Sequence, residues 1–375
     1  MTPRPPQRPN PAPKKRREVL ITGMPNFVAV RLLWTLLDAE PKTHVALVVR
    51  GDLVERTEAE LSRRVGVRSR VRVLRGDVVA PDLGLVDEDL ERVLRETTDI
   101  YHLASIYHLG VAKNRAEEVN IQGTRHVLDI ARRCDRLERL NHYSTAFVAG
   151  DRAGVILEGE LETGQKFRNT FERTKFTAEL EIRRAMHDLP ISVYRPSMLV
   201  GDSETGEIDA LDGPYFFFQL IVNNPTRLPV PLPSAAMHPL NVVPVDYVTR
   251  AMHAISIGEN NVGRTFHLVD PNPISARDAF RMIAEHAERS APRGRMPHWL
   301  AQRLLALPPV ERLTRQGRAF LHELDSLTIF NSMNTMAALR HTGIIAPPFP
   351  TYVDRLVRYV QRDRTWGDGD ASDLL

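Results

Sequence analysis

The chain has a single cysteine, Cys134, in 375 residues. No internal disulfide can form, so the fold is held by its core and no oxidising compartment is called for. Cys134 lies in "VLDIARRCDRL", apolar at helical spacing, and reads as a packed helix residue rather than a nucleophile. Long apolar runs are missing too. The longest aromatic-aliphatic stretch, "YFFFQLIV", is far short of the ~20 residues a membrane-spanning helix needs. The first 17 residues, "MTPRPPQRPNPAPKKRR", contain no acid and no apolar segment of the kind a secretory signal carries. They read as a disordered, basic, proline-rich tail. Against a formal net charge of +3, the six basic residues of this tail leave the remainder slightly acidic. Histidines, cysteines and carboxylates do not cluster at metal-ligand spacing, so no metal is expected. The reading is of a cytoplasmic protein without a transmembrane segment.

What is present is a rhythm. From Glu18 onward, "EVLIT", "THVALVV", "RVRVLRGDV", "TDIYHLAS", "LERLNHYSTAFVAG" and "ISVYRPSMLV" alternate with helical patterns such as "FVAVRLLWTLLDA", "EEVNIQGTRHVLDIARR" and "ERTKFTAELEIRRAMHD". Such alternation specifies βαβ units, and so an α/β, doubly wound parallel sheet of Rossmann type. Residues 18–205 carry this pattern, and about 238–270 are expected to complete the sheet. Residues 206–237 and 271–361 read as a smaller, mainly helical substrate lobe, with one apolar helix around Phe216–Val222, and 362–375 as a loose acidic tail. Arginines crowd "RRVGVRSRVRVLR", but Arg70 and Arg72 alternate with valines, the mark of a half-buried strand with a solvated face. Nucleic-acid binding is not expected.

The opening "LITGMPNFVAVRLL" is a strand, a turn and a helix. A dinucleotide site wants three glycines there: for the tight turn, for close approach of the pyrophosphate, and for helix–strand packing. The pyrophosphate then rests on the helix N-terminus, where free N–H groups and the dipole favour anions. Gly23 supplies the first; Asn26 and Ala29 stand at the second and third. Asparagine tolerates left-handed backbone better than other non-glycine residues, so the turn is expected to survive, with the Asn26 side chain crowding or bonding the phosphates. At the end of the second strand, where an acid would hold the 2′-OH of NAD, stands Arg50. Either it is a surface arginine or it favours a 2′-phosphate, and so NADP(H) over NAD(H).

Taken in order, "LITGMPNF", "LRGDV", "IYHLAS", "VNIQGT", "HYSTAFVAG", "NTFERTKFTAE", "YRPSMLVGDSETG", "DGPY" and "NVVPVDYV" resemble the extended short-chain dehydrogenase/reductases. They look most like the thioester reductase and fatty acyl-CoA reductase branch, with a male-sterility-type NAD-binding domain. The resemblance implies a cofactor site built from Thr22, Gly23, Asn26, Phe27, Arg50, Asp77, Val78, Leu103, Ala104, Ser105, Asn120, Lys175, Arg195, Pro196 and Ser197. It implies a catalytic hydroxyl at Thr145, with Ser144 the second claimant, and a lysine at Lys175 that bonds the nicotinamide ribose. The tyrosine of the family's Tyr-x-x-x-Lys pair falls on Phe171, which has no hydroxyl. Water, Tyr143 or Tyr107 are the stand-ins. His102, in "YHLAS", reads as structural rather than catalytic. "STAF" lacks the strand-turn-helix setting of a serine-hydrolase nucleophile.

Two functions of different class follow. One is an NADPH-dependent reductase of a small-molecule or carrier-bound acyl thioester or related carbonyl, with impaired or altered proton transfer. The other is a non-catalytic sensor or interaction scaffold on the same fold. Substrate, direction and oligomeric state are not readable from these residues.

Overall fold

A computed structural model describes residues 17–107, 112–211, 213–223, 232–233, 238–293, 295–296 and 327–362. The expected tails, apart from Arg17 and Arg362, lie outside the described residues, as do Asp212 of "DGPY" and much of the expected lobe. Arg17 belongs to the fold rather than to a tail. Its guanidinium pairs with Asp99 at 2.6 Å and Glu40 at 2.7 Å.

The strands are β1 (Glu18–Thr22), β2 (His44–Val49), β3 (Val71–Arg75), β4 (Asp99–His102), β5 (Arg139–Tyr143), β6 (Gly154–Ile156), β7 (Ile191–Pro196), β8 (Met198–Val200), β9 (Leu232–Pro233), β10 (Val242–Pro244), β11 (Thr265–Leu268), β12 (Arg295–Met296) and β13 (Thr328–Phe330). Seven of them form one parallel sheet in the order β11-β7-β5-β4-β1-β2-β3. The rest pair off as β10 with β8, β12 with β9 and β13 with β6. Of the stretch from 238 to 270, then, only β11 joins the main sheet, while Val242–Pro244 pairs with β8 instead.

The helices are α1 (Phe27–Ala39), α2 (Val54–Ser62), α3 (Asp87–Glu96), α4 (Lys113–Glu117), α5 (Gly123–Arg133), α6 (Thr170–Ala185), α7 (Tyr215–Val222), α8 (Val245–Ser256), α9 (Ala276–His286), α10 (Met333–Leu339) and α11 (Val353–Arg362). A π turn, Glu118–Gln122, joins α4 to α5. Strand periodicity explains why both faces of the sheet are covered. Val19, Ile21, Leu47, Tyr101 and Tyr194 project into one core with α1 and α8, while Leu20, Val48, Ile100, Leu140 and Val193 project into the other with α5 and α6. A separate cluster built on Tyr215, Phe218, Phe280, Phe349 and Leu356 packs α7, α9 and α11 together.

The strand order reverses between β1 and β4, which leaves a crevice beyond their carboxyl ends, the place where such sheets bind ligands.

Candidate active site

Two hollows open at this crevice. The larger encloses about 1380 Å³ counting its mouth, and the smaller about 770 Å³. Asn26, Ser105 and Tyr107 line both, so the two meet there.

The turn after β1 sets the junction. Gly23 has φ +95°, and a Cβ added to it would lie 2.6 Å from the Ala104 nitrogen and 2.7 Å from the Leu103 carbonyl carbon. Only glycine fits. Asn26 departs from expectation: its φ is −61°, extended and not left-handed. It is retained as the N-cap of α1, its Oδ1 accepting from the Ala29 N–H at 2.8 Å, while its Nδ2 reaches the Leu103 carbonyl at 3.4 Å. The side chain is folded back onto the helix end, one of whose free donors it satisfies.

The larger hollow owes its chemistry to α6. Asn169 caps the helix, accepting from the Glu172 N–H at 2.8 Å, and the Glu172 carboxylate reaches back to the Arg168 N–H at 2.9 Å. This start fixes the phase, so that Phe171 and Lys175, four residues apart, share the face that lines the hollow. Lys175 is buried and donates to the Tyr143 carbonyl oxygen at 2.6 Å. Burial pushes its ammonium down to about 8, with Glu179 pulling the other way. Thr145 lines the same hollow, and its Oγ1 accepts from the Phe147 N–H at 3.3 Å. Ser144 is committed elsewhere, donating to Glu179 at 2.6 Å. Tyr143 and Tyr107 both reach the hollow, but burial raises the Tyr143 phenol above the usual tyrosine range and makes it a poorer acid.

The remaining residues divide. Phe27, Leu103, Pro196 and Ser197 line the larger hollow, and the Ser197 hydroxyl is buried without a hydrogen-bond partner. Arg50, Asp77, Val78 and Ala104 line the smaller one, and Arg50 there holds Asp52 through two bonds of 2.6 and 2.7 Å. Three expected cofactor residues line neither hollow. Thr22 bonds His102 at 2.8 Å and the Ala104 N–H at 3.3 Å, which ties β1 to β4. Asn120 uses its whole amide on the backbone of Ile106 and on Thr174.

Arg195 is the clearest correction. Expected at the cofactor site, it lines neither hollow and lies fully buried, paired with Glu179 at 2.6 Å and bonded to the Glu160 carbonyl at 2.8 Å. Burial opposes the Glu179 charge, yet Arg195, Arg183 and Ser144 together hold its carboxyl below the ordinary range. His102 is equally internal. It bonds Thr22 and Thr124, and burial lowers its pKa to about 3, so it is a neutral structural imidazole. Among the cavity residues that the sequence reading missed are Arg115 in the smaller hollow and Asp209 in the larger. Neither belongs to a motif: Arg115 lies on the short helix α4 and Asp209 in the loop after β8, and neither setting carries a local signal.

Shape and charge suit a dinucleotide. The backbone passes Gly23 with no room for a side chain, a bent groove runs over the N-terminus of α1, one end holds a buried lysine, and the other holds Arg50 and Arg115. The model of the male sterility protein family of NAD-binding domains matches residues 21–252. The chain belongs to this family. As a male sterility-type domain it is of the extended short-chain dehydrogenase/reductase type, an NAD(P)-binding reductase domain with a nicotinamide cofactor. It is 24% identical to a nonribosomal peptide synthetase of Aspergillus hancockii over 91% of this chain and 36% of that protein. It is 27% identical to an aldehyde reductase of Aspergillus flavus over 92% of this chain and 36% of that protein. The chain thus spans about a third of the length of these relatives. The terminal R domain from the myxalamid PKS-NRPS pathway superposes with a TM-score of 0.77 at 24% identity, covering 92% of this chain and 91% of that one, which shows the shared fold. Among the described residues, no helix is long and apolar enough to cross a membrane, and no group of histidine, cysteine and carboxylate side chains could hold a metal ion.

Proposed function

We propose that this male sterility-type domain reduces an acyl thioester, presented on a carrier or as a small molecule, with NADPH as reductant. The observation that carries the reading is the convergence of Thr145, Phe171 and Lys175 on one wall of the larger hollow. When bound, the nicotinamide supplies hydride to the substrate carbonyl. Thr145 donates a hydrogen bond from its hydroxyl to the developing oxyanion. Lys175, charged below about pH 8, holds the ribose beside it and adds a positive field. Arg50 and Arg115 favour a 2′-phosphate at the other end.

Phe171 gives no proton. A thioester tolerates this, because its tetrahedral intermediate re-forms the carbonyl by breaking the C–S bond, and the departing thiolate takes its proton from water. An aldehyde has no such leaving group, and its alkoxide must be protonated in place. The domain therefore stops at the aldehyde. The relatives named as a peptide synthetase and an aldehyde reductase are in keeping with carrier-bound and carbonyl substrates. A second reading, a cofactor-binding domain without turnover, draws on the same Phe171. The experiment is to follow NADPH consumption with an acyl-CoA and with the matching aldehyde. Turnover of the thioester alone supports the proposal, turnover of neither with saturable NADPH binding supports the second reading, and faster turnover of the aldehyde sinks the argument from Phe171.

A further inference from the structure

Glu179 is a buried acid that the reaction above leaves unused, and it sits one helical turn beyond Lys175 on the same face of α6. Two consecutive residues where β5 ends hold the two head groups. The Tyr143 carbonyl accepts from the Lys175 ammonium at 2.6 Å, and the Ser144 hydroxyl donates to the Glu179 carboxylate at 2.6 Å. Neighbouring strand residues thus receive successive turns of the helix, which brings ammonium and carboxylate side by side. From β7, the Arg195 guanidinium closes the group, donating to Glu179 through Nη2 at 2.6 Å and Nε at 3.0 Å. Lys175 lines the larger hollow and Glu179 does not.

The other titratable groups packed around the lysine give it no counter-charge. His102 on β4 and His142 on β5 are buried, and burial pushes both imidazoles well down, so they are neutral. Arg195 of β7 and Arg183 of α6 are cations, both paired with Glu179. Glu172, on the preceding turn of α6, is turned back to the Arg168 N–H and the Asn169 amide. The Glu158 carboxylate is taken up by β11 and α10. The Glu179 carboxylate is therefore the anion that faces Lys175, and with water excluded its field is felt far more strongly than at the surface. Removing it would leave the ammonium buried with Arg195 and Arg183 uncompensated behind it.

Resting on the cofactor reading above, we propose that Glu179 is a positioning residue: it fixes α6 against β5 and keeps Lys175 a cation, in place to hold the nicotinamide ribose. It touches neither substrate nor cofactor and acts through the lysine. Ser144 and Arg195 hold the carboxylate ionised and in line. The inward turn of Arg195, which takes it away from both hollows, thereby serves the site indirectly.

The test reads the charge of Lys175 through the pH dependence of NADPH affinity, by fluorescence titration of the full chain from about pH 6.5 to about pH 9.5. The control ligand is 2′-AMP, which carries the adenosine and 2′-phosphate but no nicotinamide ribose. In the parent, NADPH affinity should fall once the pH passes about 8, where the ammonium loses its proton. In Glu179→Gln the fall should begin about one pH unit lower or more. In Glu179→Asp, which keeps the charge, it should begin where it does in the parent. Affinity for 2′-AMP at each pH should agree among these proteins within about twofold. Because Glu179→Gln strips a buried arginine of its partner, the double variant Glu179→Gln/Arg195→Met is made beside it, with the same downward shift expected, and melting curves show that each is folded. A fall that stays at the parent pH in the folded variants would make Glu179 only the structural partner of Arg195 and overturn the proposal. Saturable NADPH binding that is flat across this range in the parent would overturn it too, since Lys175 would then not hold the ribose. If the parent binds no NADPH at all, the cofactor reading itself fails.

Discussion

Phe171 and Lys175 sit four residues apart on one helix face, and each carries a prediction. Restoring the phenol with Phe171→Tyr should raise aldehyde reduction by roughly a hundredfold, within the range general acid catalysis supplies. Thioester reduction should rise far less, because thiolate expulsion already completes it. Initial rates of NADPH consumption on the paired substrates decide this; equal gains on both would refute the leaving-group argument. Lys175 yields a prediction about stability. Its pKa falls from 10.5 to about 8 on burial, so between those values the unfolded chain holds a proton that the folded chain has released. Where the unfolded state binds more protons, stability rises with pH. Relative to Lys175→Met, the parent should therefore gain roughly 2–3 kcal/mol between about pH 8 and about pH 10. Urea unfolding of both proteins at the two pH values reads the difference directly, and a constant gap would mean the buried ammonium is not perturbed.

At the scale of elements, the first βα turn shows how far a motif can be read. Gly23 was legible because a positive φ and a 2.6 Å approach admit nothing else. The conformation of Asn26 was not. A missing glycine suggested left-handed backbone, whereas the residue is extended and works as a helix cap, a role that asparagine fills well and that its neighbours do not announce. Asn26→Gly should therefore lower stability by only a few tenths of a kcal/mol, since glycine is a tolerable cap. It should also free the Ala29 N–H and tighten NADPH binding several-fold. Thermal unfolding and titration together test this, and a large loss of stability without a gain in affinity would show that the cap holds the turn itself. The helix α6 was legible for the opposite reason: cap, acid and lysine lie within seven residues, so local spacing was enough to bring Phe171 and Lys175 to one face.

Across the whole molecule, what the sequence hid was long-range. Strand alternation announced the parallel sheet, but no pattern foretold that Arg195 would turn inward to Glu179 or that residues near 158 would reach α10, because such contacts join segments far apart in the chain. Glu158 is the strongest case. Its buried carboxylate accepts the His267 N–H of β11 at 2.9 Å, the Asn334 N–H at 2.6 Å, and the N–H and hydroxyl of Thr335 at 3.2 and 3.0 Å. One side chain thus caps α10 from a distance and fastens it to the edge of the sheet. The same edge is sealed by His267, whose Nδ1 lies 2.7 Å from the Asn331 carbonyl, and whose pKa burial lowers to about 3. Removing a buried acceptor leaves each donor without a partner, at roughly 1–3 kcal/mol apiece. Even with partial relaxation, Glu158→Ala should cost on the order of 3 kcal/mol or more. Urea unfolding should show the midpoint falling in proportion, while saturable 2′-AMP binding to the distant smaller hollow survives in the folded fraction. A loss below about 0.5 kcal/mol, the scale of an ordinary surface change, would mean that α10 is held by packing and that the carboxylate only follows it.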